Sequence, residues 1–235
     1  MNRFRMETIR IIFFVACVAI IIWRVCNILR SPKIKTSDVL QEQLSNDGNK
    51  RGKEELQFTL ESVNSWLNNC DQKAGMLLAV IGVAITILFT GDFVKFIRGY
   101  IFRPFVEFCE GQCEYMFSWG RFTVFSLLAV AAVFLIMSCY YLFKAIGANI
   151  DYFKMYDENP GLARRSFIFF GSISGMKYED FKKDDIDFED DLKSQIYVNS
   201  KIATTKFQNY NKGLSWFKLL LLVIGMLFVA VMIML

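Results

Sequence analysis

The chain has 235 residues, 54% of them hydrophobic, with 24 phenylalanines, three prolines and a net charge of +4, a composition too apolar for an average soluble domain. It contains no histidine, so the usual general base and the commonest metal ligand are both missing. No GxSxG, Walker A, GxGxxG or CxxC motif is present, which argues against an enzyme or a metal site, and the small basic excess does not resemble a nucleic-acid footprint.

The expected class is an all-α integral membrane protein: a multi-pass helical bundle with long cytoplasmic helix extensions and a small cytoplasmic insert. The first apolar run, Ile11–Trp23, is short of the ~20 residues that a helical span needs. Val25–Leu29 extends it if Arg24 snorkels. Arg3, Arg5 and Arg10 precede it in the manner of a secretory signal, but no A-x-A-like site follows, so residues 1–30 read as a retained membrane helix. Whether this helix spans the bilayer or lies on its inner surface stays open. Residues 31–53 contain SNDGNKRGK and no apolar period, the pattern of a linker.

Residues 54–235 form the main domain. In EELQFTLESVNSWLNNCDQKA, Leu56, Leu60, Val63, Leu67, Cys70 and Ala74 recur at steps of three or four, one face of a helix. A cytoplasmic helix over 54–73 therefore runs directly into a span over 74–93. On that span Gly75, Ala79, Gly82 and Thr86 share a face, and small residues let membrane helices approach closely, within the chain or between subunits. Residues 94–121 are rich in aromatics, as expected of an external segment at the interface. Within it Cys109 and Cys113 flank a Gly-containing turn in CEGQC, where either a disulfide or two free thiols would fit. A second span covers 122–144.

The cytoplasmic region 145–213 carries SFIFFGSIS, whose run Phe167–Phe170 suits a short strand or a buried turn. EDFKKDDIDFEDD follows, with eight acidic residues in thirteen. It lacks the glycine turn of a metal loop and reads as a solvated acidic linker capping the next helix. From about residue 190 Leu192, Ile196, Asn199, Ala203, Phe207, Tyr210 and Leu214 trace a helical stripe into the last span, 214–235. Segments Arg30–Lys73 and Lys144–Lys218 hold seven and twelve basic residues, against three in the N-terminal tail and four in Lys95–Arg121, which places the two rich segments in the cytoplasm. With four spans both termini then lie outside, against the pull of the three tail arginines; a first helix lying on the inner surface removes that conflict.

Asp71 and Lys73 sit at the lip of the 74–93 span. A lysine there is an ordinary anchor to lipid phosphates. An aspartate gains nothing from anionic lipid and calls for a partner: Lys73, Lys206 or a ligand group.

DQKA at Asp71–Ala74 before a span, a second span after the external segment, FFGSI at Phe169–Ile173, and DLKSQIYVNSKIATTKF at Asp191–Phe207 before a last span together resemble the Pycsar effector transmembrane family. The resemblance covers about Glu54–Leu235, and its motif residues here are Asp71, Lys73, Phe170, Gly171, Asp191, Asn199 and Lys206. It implies a bacterial inner-membrane effector of antiphage defence: a partner cyclase makes a diffusible cyclic nucleotide, and the effector assembles as a homo-oligomer and impairs the membrane, an abortive infection. The alternative is a constitutive scaffold or channel-like subunit of a membrane complex, with no nucleotide ligand. Under the first reading phosphate would be held by Lys73, Arg164, Arg165, Lys201 or Lys206, with Phe or Tyr stacking on the base. Apart from that activator no cofactor is expected, and the constant partner is the lipid bilayer.

Overall fold

The computed structural model describes residues 2–30, 52–89, 91–103, 106, 109, 119–147, 157–162, 166–183 and 187–234. The 31–53 linker lies almost wholly outside the described residues. The helices are α1 (Asn2–Arg30), α2 (Lys53–Phe89), α3 (Gly91–Ile97), a π-helical turn (Arg98–Phe102), α4 (Trp119–Ile146), α5 (Phe170–Gly175), α6 (Tyr178–Lys183) and α7 (Phe188–Met234). There is no strand among the described residues. Four of these helices are long and apolar enough to cross a membrane, over Thr8–Asn27, Lys53–Ile87, Trp119–Ile146 and Phe188–Met232. The chain is a multi-pass membrane protein.

Two compact units divide the chain, and α2, α4 and α7 each contribute to both. The apolar unit comprises Met1–Pro32, Met76–Leu142 and Asn211–Leu235. Its core is Val124, Leu127, Ala131 and Phe134 of α4 with Leu219, Leu220, Val223 and Ala230 of α7, joined by Cys17 of α1. The α4 residues recur at steps of three and four, which keeps one seam facing a partner helix. Phe13, Ile21 and Val25 share the Cys17 face of α1 and pack on the same core. The outer faces carry exposed Val80, Val83, Ile87, Val133, Ile136, Ile224 and Phe228; apolar side chains on the outside belong against lipid.

One polar contact fixes the approach of α4 to α7. Ser138, wholly buried, donates from Oγ to the Gly213 carbonyl at 3.1 Å. A Cβ at Gly213 would lie 2.8 Å from Leu142 Cγ and 3.2 Å from the Leu142 backbone nitrogen. Only glycine permits that spacing. Gly213→Ala is expected to destabilise the protein by about 1–3 kcal/mol, the range for overpacking a core, read as a lower thermal midpoint in lipid nanodiscs; an unchanged midpoint would count against a fixed α4–α7 crossing.

After α2, Gly91–Phe102, part of the aromatic segment expected outside, is helical. Phe96 and Tyr100 stack at 5.3 Å, Arg121 lies over the Tyr100 ring and Phe102 meets Phe125 edge-on. Tyr100 and Phe102 thus meet Arg121 and Phe125 of α4.

The polar unit comprises Lys33–Gly75 and Phe143–Tyr210. Here α2 begins close to the expected point, with Glu54 and Glu55 in its first turn, where negative charge suits the helix dipole. Helix α7 starts at Phe188 because Asp187 caps it, its Oδ1 accepting from the Glu189 and Asp190 N–H groups at 3.0 and 3.4 Å. That cap gives part of the acidic run its role. No metal-holding group of acidic or cysteine side chains occurs among the described residues.

Candidate functional site: a three-helix ion pair and a polar groove

The polar unit is organised by a parallel pairing of α2 with α7. Asn199 Nδ2 donates to Asn64 Oδ1 at 2.9 Å, and Lys206 bonds Asp71; each pair is separated by 135 residues. A constant separation means that the two helices run in the same direction. Their apolar contact is Leu56 and Leu60 against Leu192, with Ile168 and Ile196 alongside. The α2 face read from the sequence is the packed one, with Leu56, Leu60, Cys70 and Ala74 buried and Val63 and Leu67 half-buried.

The α7 face departs from the expected stripe after Asn199. Phe207, Tyr210 and Leu214 are only half-buried, whereas Lys206 and Asn209 are buried. The structural seam, Leu192, Gln195, Asn199, Ile202, Lys206 and Asn209, keeps a strict alternation of three and four. An apolarity criterion passes over Lys206 and moves to Phe207, because it cannot know that a carboxylate waits opposite.

Lys206 is the centre of the site. Its Nζ donates to both Asp71 carboxylate oxygens, at 2.6 and 2.7 Å, and to the Ile146 carbonyl at 3.2 Å. Three helices meet at one ammonium: α2 through Asp71, α4 through its last carbonyl, α7 through Lys206 itself. A lysine has three donors, and all three have acceptors here. A cation at the end of α4 also complements its dipole. The Lys206 side chain is 11% exposed and that of Asp71 38%, so the pair is shielded on the lysine side and open to water on the other. Beside it the Cys70 thiol is buried.

Asp191 makes the second polar anchor. It is wholly buried, its Oδ2 accepts from the Phe167 N–H at 2.9 Å, and its Oδ1 has no hydrogen-bond partner among the described residues. The Phe167–Phe170 segment is not a strand. Ser166 Oγ accepts from the Ile168 and Phe169 N–H groups, and the Ser166 N–H donates to Ser172 Oγ. Side chains thus take up the backbone donors that a strand ladder would need, and the chain turns into α5. At Gly171 a Cβ would lie 2.6 Å from Phe169 Cε1, so a side chain there would displace the Phe169 ring.

The remaining sequence candidates are dispersed. Lys73 is exposed, and Lys201 is exposed with its ammonium 5.3 Å from the Tyr197 ring centre. Arg164, Arg165 and Cys113 lie outside the described residues, and Cys109 is an exposed free cysteine. Of the phosphate-binding candidates, Lys206 is engaged by protein acceptors. The small-residue face of α2 is open: Ala79, Gly82 and Thr86 are exposed, and a Cβ at Gly75 or Gly82 would meet nothing within 4 Å.

A feature missed by sequence reasoning lies on the solvent side of α2. Glu61, Asn64, Ser65, Asn68, Asn69 and Gln72 line a groove of about 550 Å³. The signal was present as two amide pairs, in VNSWLNNCDQ, at the spacing of one helix face.

Residues 114–235 match the Pycsar effector protein domain. The matched stretch includes Phe170, Gly171, Asp191, Asn199 and Lys206 and leaves out Asp71 and Lys73. The chain is similar to the Pycsar effector protein GmPycTM of Gulbenkiania mobilis, with 31% identity over 169 residues that cover 70% of this chain and 85% of that protein. No solved structure matches the chain.

Proposed function

Because the chain belongs to the Pycsar effector transmembrane family, membrane effectors of antiphage defence, we propose that a cyclic nucleotide from a partner cyclase activates it and that activation impairs the inner membrane. The protein works without catalysis. Copies assemble, and the open small-residue face of α2, Gly75, Ala79, Gly82 and Thr86, is the surface through which they associate in the bilayer. The nucleotide drives this only by binding the assembled state more tightly than the separate one.

The observation that carries this reading is the Lys206 junction. DQKA and DLKSQIYVNSKIATTKF are far apart in sequence, and their Asp71 and Lys206 form a shielded ion pair that also takes the last carbonyl of α4. In this reading a bound ligand acts by shifting the packing of the three helices that meet at this junction.

The test is membrane potential in cells expressing the protein, followed with a voltage-sensitive dye while a nucleotide cyclase is induced. Depolarisation that needs both the cyclase and this chain is the expected result. Correct insertion with no response to any cyclic nucleotide would replace this reading with that of a constitutive scaffold, and discrete conductance steps in planar bilayers would identify a regulated channel.

A further inference from the structure

We propose that Arg24 of α1 and Lys218 of α7 hold phospholipid phosphates drawn below the surface of the inner leaflet, so that the bilayer is thinned against this chain. This rests on the membrane-impairing reading above and names where the bilayer is disturbed.

The depth of both residues follows from helix register within the apolar unit. Phe14 of α1 meets Phe122 near the start of α4, with ring centroids 5.8 Å apart. Val25, eleven residues on, packs on a core whose α4 members, Val124 to Phe134, all lie after Phe122. Helix α1 therefore runs parallel to α4 and crosses the unit with it. Arg24, ten residues past Phe14, is level with the α4 turn at Ala131–Phe134. Helix α7 runs antiparallel to α4, since Ser138 meets Gly213 and Phe134 meets Trp216, the two rings 5.4 Å apart. Lys218, two residues past Trp216, reaches the same turn. On α4 the unit ends at Leu142, and α7 joins it at Asn211. Phe122–Leu142 rises about 30 Å at ~1.5 Å per residue, the thickness of a hydrocarbon core. Both cations thus lie about 10–15 Å inside the inner edge.

A cation at that depth needs a counter-charge, and the spanning helices supply none. Arg24 and Lys218 are exposed, and neither has an acidic partner among the described residues. No acidic residue occurs on α1 after Glu7, on α2 after Asp71, on α4, or on α7 after Asp191. Their exposed neighbours are Ile20 and Ile22 on α1 and Leu221 on α7, side chains that belong against lipid. The anion that reaches a lipid-facing cation is the phosphate of a phospholipid. A guanidinium holds it with two parallel hydrogen bonds, and an ammonium as a point charge. Trp23, 59% exposed, has its ring centre 5.2 Å from the Arg24 guanidinium carbon. Tryptophan favours the headgroup level, so its place beside Arg24 fits a leaflet surface lowered to this depth.

Cys26, exposed two residues from Arg24, is a native reporter of that surface. The full-length protein is treated with a water-soluble maleimide in nanodiscs of phosphatidylethanolamine and phosphatidylglycerol, and modification of Cys26 is followed by peptide mass spectrometry. The expected rate is tenfold or more above that in nanodiscs of galactolipid, which carries no phosphate. In the phospholipid discs Arg24→Leu combined with Lys218→Leu is expected to slow the reaction by a similar factor, and an unchanged circular dichroism spectrum verifies the fold. Equal wild-type rates in the two lipids overturn the site. A galactolipid rate restored by inorganic phosphate overturns the lipid as its occupant and assigns the cations to a free anion. Cyclase-dependent depolarisation is read separately in cells: its presence alongside equal rates leaves the membrane-impairing reading standing without this site. Its absence alongside a phospholipid-dependent rate keeps the site and overturns that reading.

Discussion

Asp71→Ala is expected to destabilise the protein more than Lys206→Ala does, although the two substitutions break the same ion pair. Removing Asp71 leaves an ammonium that is 11% exposed with the Ile146 carbonyl as its remaining acceptor. Breaking a fully buried pair in this way costs about 3–5 kcal/mol. Asp71 is 38% exposed, so its side of the pair is already partly screened and the expected loss falls to about 2–3 kcal/mol. Removing Lys206 breaks the two bonds to Asp71, which water can replace at the partly exposed carboxylate; the uncompensated loss is the Ile146 carbonyl bond and the packing of the lysine stem, about 1–2 kcal/mol. For a chain of this size each kcal/mol moves the thermal midpoint by about 2–4 °C, so the order of the two midpoints in nanodiscs is measurable. Asp71→Leu combined with Lys206→Met should recover much of the loss, since a packed apolar pair carries no desolvation cost. The reverse order of the single variants would mean that the lysine side of the junction is more open than its burial indicates. The double variant also separates structure from signalling: recovered stability without cyclase-dependent depolarisation would assign the ion pair to the response itself.

Asp191 is expected to tolerate asparagine better than alanine. Its Oδ2 holds the Phe167 N–H at 2.9 Å while its Oδ1 is buried without a partner among the described residues. Asp191→Ala orphans that N–H in a closed environment, a loss of about 1–3 kcal/mol, and releases the Ser166–Ser172 turn from the first turn of α7. Asp191→Asn keeps an oxygen for the Phe167 N–H, fills the same volume and removes a buried charge. Against this it gives up ~0.3–1 kcal/mol of favourable charge at a helix N-terminus. Its NH2 also takes the place of the unpartnered Oδ1 and is left without an acceptor, so a loss is expected that is smaller than that of the alanine variant. Thermal unfolding of the two variants side by side, with hydrogen exchange at Phe167 and Ile168, checks it. An asparagine variant as unstable as the alanine one would show that the negative charge itself is required at this position.

These two residues mark where reading the sequence was sufficient and where it was not. The all-helical membrane class, the helix beginning near Lys53 and the one beginning near Asp190 were legible, because apolar length and a three-to-four residue period are local properties of the chain. The packed face of α2 followed from the same period. Asp71 was recognisable as a residue in need of a partner, and Lys206 was among those considered. The resemblance of the DQKA and DLKSQIYVNSKIATTKF motifs to the family was also a property of residues in order.

Burial of polar groups was decided by the fold alone. Lys206 displaced Phe207 from the α7 seam because a carboxylate 135 residues earlier in the chain, together with the end of a third helix, offsets its desolvation. The Phe167–Phe170 run became a turn because Ser166, Ser172 and Asp191 take the backbone bonds that its β-forming residues would have given to a neighbouring strand. The small-residue stripe of α2 could have packed inside the chain, and within this chain Ala79, Gly82 and Thr86 stand exposed. An apolar side chain carries its preference for burial with it wherever it lies; a charged one is buried only where its partners converge, and that convergence exists in three dimensions.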